Sequence, residues 1–233
     1  MSPTLLLIGS GPGIGLSTSS LFATKHFSKI ALLSRNSTRL LTDREALISS
    51  LPSPRKEEVE VKTWDVDITS TEKYKQVLKE VEEWSGEEGV DCVVFNAARV
   101  EPSALLEFPE EEILKDFLTT NIALYTTAQW ALPLLSQMKE EKKPSFLVTS
   151  SLLWKYPFPM FFSLSMVKAS QRNLVESLKL SFPDVHIALL NVGGQVSKED
   201  KYLNPTAIAE KFWELYAQEK SAWTFDLDVL APQ

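Results

Sequence analysis

An apolar run at the start of the chain, Thr4–Ile8, leads directly into the segment Gly9-Ser-Gly-Pro-Gly-Ile-Gly15. Glycine adopts positive φ angles at little cost and lets a backbone approach a ligand closely. A helix that begins at the end of such a loop directs unpaired N–H groups, and the positive end of its dipole, at an anion. The start of the chain therefore predicts a strand, a phosphate-binding loop and a helix, with a nucleotide cofactor as the ligand.

The spacing of the glycines separates the classes of nucleotide site. The common dinucleotide motif needs a small residue five positions after its first glycine, where this chain has Ile14. Gly9, Gly13 and Gly15 fit the pattern G-x-x-x-G-x-G instead. The loop also overlays a methyltransferase motif that binds S-adenosylmethionine, but the acidic residue of that motif falls on Leu7. A tight turn without a ligand is the third alternative.

Short runs rich in Val, Ile and Leu recur along the chain and alternate with longer amphipathic stretches. Strands that are buried on both faces are continuously apolar, and right-handed crossovers place helices on both faces of a parallel sheet. The 233 residues therefore predict a single α/β domain with a doubly wound parallel sheet, the Rossmann fold. We predict strands at 4–8, 29–33, 59–64, 90–95, 145–149, 185–191 and 223–228, and helices at 13–26, 39–50, 71–84, 109–138, 161–182 and 207–218. Pro133 predicts a break or a bend within the fourth helix.

The composition limits the kinds of partner. A formal net charge of −7 argues against a nucleic-acid or anionic membrane surface and favours a small-molecule substrate. The single cysteine, Cys92, lies within an apolar run and has no partner for an internal disulfide, which predicts a reducing, cytoplasmic location. The N-terminal apolar run is too short, and lacks the basic lead-in, for a signal peptide or a membrane span. No metal site is predicted.

The end of the second predicted strand indicates which dinucleotide is bound. The chain there contains Ser34-Arg35-Asn36, whereas a site for NAD would place a carboxylate there to bind the ribose 2′-hydroxyl. Arg35 is placed to form charge-assisted hydrogen bonds with a 2′-phosphate. The sequence thus predicts NADP(H) rather than NAD(H), with a solvated surface arginine as the alternative.

The chain resembles the short-chain dehydrogenase/reductase family, whose motifs it carries in order: the glycine loop, Asp65-Val66, Asn96-Ala97, Thr120-Asn121, Ser151, Lys168 and Gly193. The resemblance implies that the dinucleotide is bound by Gly9, Gly13, Ile14, Gly15, Arg35, Asn36, Asp65, Val66, Asn96, Ala97, Lys168, Gly193, Gln195 and Ser197. In that family the Asp-Val pair holds the adenine. The residues after the sixth strand face the carboxamide and the phosphates.

The resemblance also implies catalytic roles. Ser151 corresponds to the serine that hydrogen-bonds the substrate carbonyl, and Asn121 to the asparagine that supports a water chain to the catalytic lysine. Lys168 corresponds to that lysine, which also lowers the pKa of a tyrosine four residues earlier. This chain has Leu164 at the tyrosine position, which makes it an atypical member, similar to a group of fungal reductase-like proteins with the pattern S-L-x-x-x-K. Leucine has no proton to give, and loss of a general acid costs about 10² to 10⁴ in rate.

Other groups are candidates for the missing proton donor. They are Tyr156, Ser163, Ser165 and Lys168 itself with a lowered pKa. A substrate that needs no proton at oxygen, such as an iminium or an activated alkene, is a further alternative. The aromatic segment 152–162 is expected to line an apolar pocket, contact a second subunit or pack on the core, whereas segment 197–205 is too short for the lid of many relatives.

Two functional hypotheses follow. The first is an NADPH-dependent reductase that acts on a small apolar carbonyl or imine-like substrate. The second is an NADP(H)-binding protein without standard redox turnover, such as a sensor, a scaffold or a cyclase. The resemblance also implies a homodimer or homotetramer that associates through the helices carrying Asn121 and Lys168.

Overall fold

The computed structural model describes residues 2–232, and its centre is a seven-stranded, entirely parallel sheet. The strands are β1 (Thr4–Ile8), β2 (Lys29–Ser34), β3 (Glu60–Asp65), β4 (Cys92–Phe95), β5 (Ser145–Ser151), β6 (His186–Val192) and β7 (Asp226–Val229). Their order across the sheet is β3-β2-β1-β4-β5-β6-β7. The chain moves outward from β1 to β3 and then returns to the other side of β1. The strand order therefore reverses between β1 and β4, which is where a doubly wound sheet opens its ligand crevice.

Helices cover both faces of the sheet. They are α1 (Ile14–Lys25), α2 (Ser37–Ser50), α3 (Arg55–Glu58), α4 (Thr71–Ser85), α5 (Glu110–Phe117), α6 (Ala123–Leu135), α7 (Phe162–Ser181) and α8 (Pro205–Ala217). Successive side chains of β1 enter opposite cores, because a strand alternates its faces. Leu5 and Leu7 pack with α1, α2 and α8, whereas Leu6 and Ile8 pack with α4, α6 and α7. The predicted doubly wound α/β fold is confirmed. No helix within residues 2–232 combines the length and apolar character needed to cross a membrane.

The predicted fourth helix is interrupted, but not where proline suggested. A turn of π-helix, Leu118–Ile122, separates α5 from α6, whereas Pro133 lies inside α6. A π turn adds a residue to the helical turn and often occurs at functional sites. Thr120 and Asn121 lie in this turn and are buried. The sequence did not mark the π turn, because Thr and Asn lower helix propensity only slightly and also occur within ordinary α-helices.

Two smaller differences concern the ends of elements. Residues 51–58 include the short helix α3, which the apolar pattern did not predict. The last strand covers Asp226–Val229 and not the predicted 223–228. It lies at the edge of the sheet, where Asp226 and Asp228 are not buried. An edge strand with polar side chains does not show the continuous apolar run of a central strand, so its ends are poorly marked.

Candidate functional site

The glycine loop after β1 is held by its own backbone. Gly9 has a φ of +90°, and a Cβ atom there would lie 2.6 Å from the backbone nitrogen of Ala97. A Cβ atom at Gly15 would lie 2.8 Å from the carbonyl oxygen of Gly9. The amides of Gly9 and Ser10 both donate to the Leu33 carbonyl at 2.9 Å. The first and last glycines are therefore required for close packing between the ends of β1, β2 and β4.

The middle of the same loop is open. A Cβ atom at Gly11 or Gly13 would meet no heavy atom of the described chain within 4 Å. Gly13 precedes the first residue of α1, Ile14, so the free N–H groups of that helix point toward this space. Open backbone next to a helix N-terminus suits an anionic group such as a pyrophosphate. The loop therefore fits the dinucleotide that the glycine spacing predicts.

Asn96 connects the glycine loop to the neighbouring strands. Its side-chain amide donates to the Gly9 carbonyl at 2.9 Å, and its side-chain oxygen accepts from the Thr149 hydroxyl at 2.7 Å. The register places Phe95 opposite Ile8, which brings Asn96 beside Gly9. Asn96 and Ala97 thus support the loop on which a cofactor would lie, with the Asn96 side chain committed to protein partners.

A cleft of about 360 Å³ lies at the carboxyl ends of β2 and β3. Arg35, Asp65, Val66 and Asp67 are among the residues that line it. Val66 is buried, whereas Arg35 and Asp65 are exposed. Hydrogen bonds from Thr69 lower the pKa of Asp67, and the positive charge of Arg35 lowers it further. The structure therefore brings together the residues predicted for the adenosine half of the cofactor.

Asn36 differs from this group. Its side-chain oxygen accepts a hydrogen bond from the Arg39 amide at 2.8 Å and caps the first turn of α2. Asparagine is among the preferred N-cap residues. The side chain of Asn36 therefore has a structural role at the start of the helix.

Sequence reasoning missed a buried acidic residue beneath the loop. Asp43 on α2 is 0% exposed and accepts hydrogen bonds from the Ser10 hydroxyl at 2.9 Å and from Arg39 Nε at 2.9 Å. The Arg39 side chain is 38% exposed, so the cluster is accessible to solvent through this residue. A signal existed, because Asp43 lies between Leu40 and Leu47 at positions where an amphipathic helix would place apolar residues.

Lys168 lies on α7 and is 4% exposed. Its Nζ donates to the Thr149 carbonyl at 2.9 Å and to Gln171 Oε1 at 3.0 Å. Burial lowers the pKa of this amine from 10.5 to about 7. The structure thus places a lysine that titrates near neutral pH against β5, the strand that ends with Ser151. The Ser151 oxygen accepts from the Leu153 amide at 3.2 Å, which leaves its hydroxyl proton free to donate.

Asn121 lies in the π turn that packs against α7. It is 3% exposed, and neither polar atom of its side chain has a hydrogen-bond partner within residues 2–232. Buried polar groups without a protein partner commonly bind ordered water. The environment of Asn121 therefore fits the water-binding role that the family resemblance implies.

The other candidate proton donors are occupied or distant. Tyr156 is 63% exposed, and Lys155 lies over its ring. The Ser163 hydroxyl donates to buried Asp116 at 2.5 Å, and the Ser165 hydroxyl donates to a backbone carbonyl in the preceding turn at 2.8 Å. Leu164, where the family resemblance predicts a tyrosine, is 5% exposed. Of the four candidates named from the sequence, Lys168 alone combines burial with a pKa near neutrality.

The segment after β6 contains three of the predicted cofactor-binding residues, Gly193, Gln195 and Ser197. A Cβ atom at Gly193 would collide with Leu230 from the C-terminal segment, so glycine is needed for this contact. Gln195 is exposed. The Ser197 hydroxyl donates to Glu199 at 2.5 Å, and Asn204 caps α8 a few residues later. Residues 197–204 contain no helix or strand.

Two loops meet beside the carboxyl end of β5. The Ser103 amide donates to the Met160 carbonyl at 2.8 Å, which joins segment 98–108 to segment 152–162. Leu106 is 95% exposed, and Phe158 and Met160 are each 51% exposed. The two joined segments therefore carry exposed apolar side chains, and segment 152–162 directly follows Ser151 in the chain. Segment 152–162 is anchored at its start, where the Arg172 guanidinium lies 4.2 Å from the centre of the Trp154 ring.

Comparison with known proteins places this architecture in a family. A family model described as short chain dehydrogenase matches residues 3–206. A search of curated proteins finds no match. Several solved structures share the fold along the whole chain. An alcohol dehydrogenase from the archaeon Thermococcus sibiricus, complexed with 5-hydroxy-NADP, aligns over 100% of both chains with 24% identity and a TM-score of 0.84.

Two further structures are similar at lower identity. A short chain oxidoreductase from Pseudomonas aeruginosa PAO1, described as containing an atypical catalytic center, has 20% identity and a TM-score of 0.82 over 97% of this chain and 95% of that one. ElxO with NADP bound has 17% identity and a TM-score of 0.79 over 98% and 97%. These structural likenesses establish the Rossmann-like fold, and the family model covers most of the sequence. The chain therefore belongs to the short-chain dehydrogenase family.

Proposed function

We propose that this protein is an NADPH-dependent reductase that acts on a small apolar carbonyl or imine-like substrate, with Lys168 as the proton donor. The observation that carries the proposal is the buried Lys168 amine against the Ser151 strand, whose pKa of about 7 suits a general acid at neutral pH. The Lys168 amine would take the role of the family tyrosine, because residue 164 of this chain is leucine. The solved structure with an atypical catalytic center supports the view that this fold accommodates such departures.

The choice of NADP(H) rests on two arginines. Arg35 lines the cleft at the end of β2, and Arg39 is oriented at the start of α2 by its hydrogen bond to Asp43. Guanidinium groups form charge-assisted, bidentate hydrogen bonds with phosphate, which favours a cofactor carrying a 2′-phosphate. The NADP-type ligands of the Thermococcus sibiricus enzyme and of ElxO support the same choice.

The chemistry follows from the positions of the polar groups. NADPH, when bound, would be the source of the hydride that the carbonyl carbon accepts. An ammonium group has three N–H donors. Two of those on Lys168 are bound to Thr149 and Gln171, which leaves one to deliver a proton to the substrate oxygen. The Ser151 hydroxyl donates to the same oxygen and orients it. Lys168 then becomes a neutral amine, which regains its proton from water, and the carbonyl has become an alcohol.

The substrate class rests on the surface beside this site. The exposed apolar side chains of Leu106, Phe158 and Met160 favour an apolar substrate over a charged one. We further propose a cytoplasmic location, from the single cysteine, and association as a homodimer or homotetramer through α6 and α7.

The test is NADPH oxidation by the purified protein with a panel of aliphatic and aromatic aldehydes, ketones and cyclic imines. We expect turnover of at least one, loss of about 10² or more in kcat/KM on Lys168→Met, and little change for Lys179→Met, which alters an exposed lysine of the same helix. Because the acid form donates the proton, kcat/KM for reduction should fall as the pH rises through about 7. A rate that rises across this range would contradict Lys168 as the acid.

A second candidate is a protein that binds NADPH without oxidising it. It is favoured by buried Leu164 at the tyrosine position. Leu164→Tyr separates the two. If the native chain binds NADPH tightly and only this variant oxidises it, the native protein is not a reductase. Titration of the tryptophan fluorescence with NADPH, NADH and S-adenosylmethionine also tests the methyltransferase alternative.

A further inference from the structure

Gln171 occupies a position on α7 where helical spacing predicts an apolar side chain. It follows buried Leu164 and Val167 and precedes buried Val175 on the same face of the helix. Gln171 is 0% exposed, and its Nε2 has no hydrogen-bond partner within residues 2–232. A buried amide with unsatisfied groups is destabilising compared with a side chain of similar size and no polar atoms. Packing alone therefore does not account for glutamine here.

Within the described part of the chain, the Gln171 side chain makes one hydrogen bond, and its partner is the candidate proton donor. Gln171 Oε1 accepts from Lys168 Nζ at 3.0 Å, one helical turn away, while the Thr149 carbonyl accepts from the same nitrogen at 2.9 Å. Residues three apart on a helix face the same side. Two acceptors in fixed directions hold the amine in one orientation and leave its third N–H group in a defined direction.

We propose that Gln171 is a positioning residue for the reduction: it orients the Lys168 amine and raises its proton affinity, without adding a charge to the buried site. This inference rests on the proposed function. A hydrogen bond accepted from the ammonium form stabilises that form, and so counteracts part of the effect of burial. Without it, the amine would be deprotonated over more of the neutral pH range and would donate fewer protons.

Charged groups near α7 are bound elsewhere or exposed. Asp116 on α5 is bound to Ser163 and Arg99, and Asp226 on β7 is bound to Arg172. On the packed elements, Glu112 and Lys115 of α5 pair with each other, His186 of β6 is bound to the Thr224 carbonyl, and Lys155 lies over the Tyr156 ring. The remaining charged side chains, which are all exposed, are Glu110 and Glu111 of α5 and Glu176 and Lys179 of α7 itself. Burial is the one cause that lowers the pKa of Lys168. A change at residue 171 should therefore act on the amine without competition from a neighbouring charge.

The experiment measures the Lys168 pKa directly, by NMR of the full chain labelled with ¹³C at lysine Cε, with the resonance assigned through Lys168→Met. Gln171→Met keeps the size of the side chain and removes the acceptor, and should lower the midpoint by about one pH unit. Gln171→Glu places a carboxylate beside the amine and should raise it by at least as much. Gln129→Met, at an exposed glutamine of α6, is the control and should not move it.

The outcomes separate the inference from the proposed function. A midpoint that is unchanged in Gln171→Glu overturns the inference, and this variant decides alone if Gln171→Met does not fold. If the NMR midpoints move as expected and the pH limb of kcat/KM moves with them, both proposals are supported. If the NMR midpoints move but the pH at which kcat/KM falls does not, the inference that Gln171 orients Lys168 and raises its pKa holds. In that case Lys168 is not the proton donor.

Discussion

Replacement of Lys168 by methionine should change the pH dependence of stability in a way that no exposed lysine can. Lys168 is 4% exposed, and burial lowers the pKa of its amine from 10.5 to about 7. At about 1.36 kcal/mol per pH unit, this fall costs the protonated, folded form about 5 kcal/mol relative to the unfolded chain. Methionine has a similar length and no charge, so the variant does not carry this cost.

The sign follows from proton binding. Between about pH 7 and pH 10.5 the unfolded chain keeps the Lys168 proton while the folded chain has lost it. The folded wild type is therefore least stable, relative to Lys168→Met, below about pH 7, and gains stability as the pH rises. From about pH 6 to about pH 9.5 the difference in unfolding free energy between the two proteins should change by about 3 kcal/mol. The hydrogen bonds of the amine to Thr149 and Gln171 act through the pKa of the folded form and are already included in this change, whereas any change in packing is independent of pH and shifts all values equally.

The assay is urea unfolding of both proteins, followed by tryptophan fluorescence at several pH values. Only the slope of the difference in unfolding free energy against pH is diagnostic, because packing and cavity effects add a constant. Lys179→Met, on the exposed face of α7, should give a difference that is flat with pH. A flat difference for Lys168→Met, within about 0.5 kcal/mol, would show that the amine keeps its ordinary pKa and would refute the reasoning on Lys168.

Two further predictions concern the cofactor half of the site. Arg39→Ala should weaken NADP⁺ binding by about 10-fold or more and NAD⁺ binding by less than about 3-fold, because a hydrogen bond to a charged group contributes about 1.5–3 kcal/mol. Calorimetric titration with both nucleotides measures this, and equal weakening would exclude a contact with the 2′-phosphate. Gly9→Ala should destabilise the fold by several kcal/mol, since its Cβ would lie 2.6 Å from the Ala97 nitrogen at a φ of +90°. A Cβ atom at Gly11 would meet no heavy atom of the described chain within 4 Å. The unfolding free energy of Gly11→Ala, measured by thermal unfolding, should therefore lie within about 1 kcal/mol of the wild-type value. Similar losses for the two glycine variants would contradict the division of the loop into packed and open parts.

Much of the fold was predictable because its signals are local. Continuous apolar runs marked the central strands, since β1 and β4 are buried on both faces. Amphipathic spacing marked most helices. The local patterns did not predict the π turn Leu118–Ile122 or the ends of the edge strand β7.

The candidate site was predictable in its parts but not in its interactions. Gly9, Arg35, Asn96 and Lys168 were found from motifs. Their contacts were not, because the partners are far apart in the chain. Ser10 binds Asp43 across 33 positions, and Lys168 binds Thr149 across 19.

The sequence by itself determined the order of strands and helices, the glycine-rich loop, and the positions of Lys168 and Leu164 on one helix. These depend on backbone geometry and on neighbours within a few residues. The tertiary structure alone decided that Lys168 is buried against Thr149 and Gln171, and that Tyr156 lies on the surface. Burial and electrostatic environment arise from segments that come together only in the folded chain. The pKa that makes Lys168 a candidate acid is therefore a property of the fold.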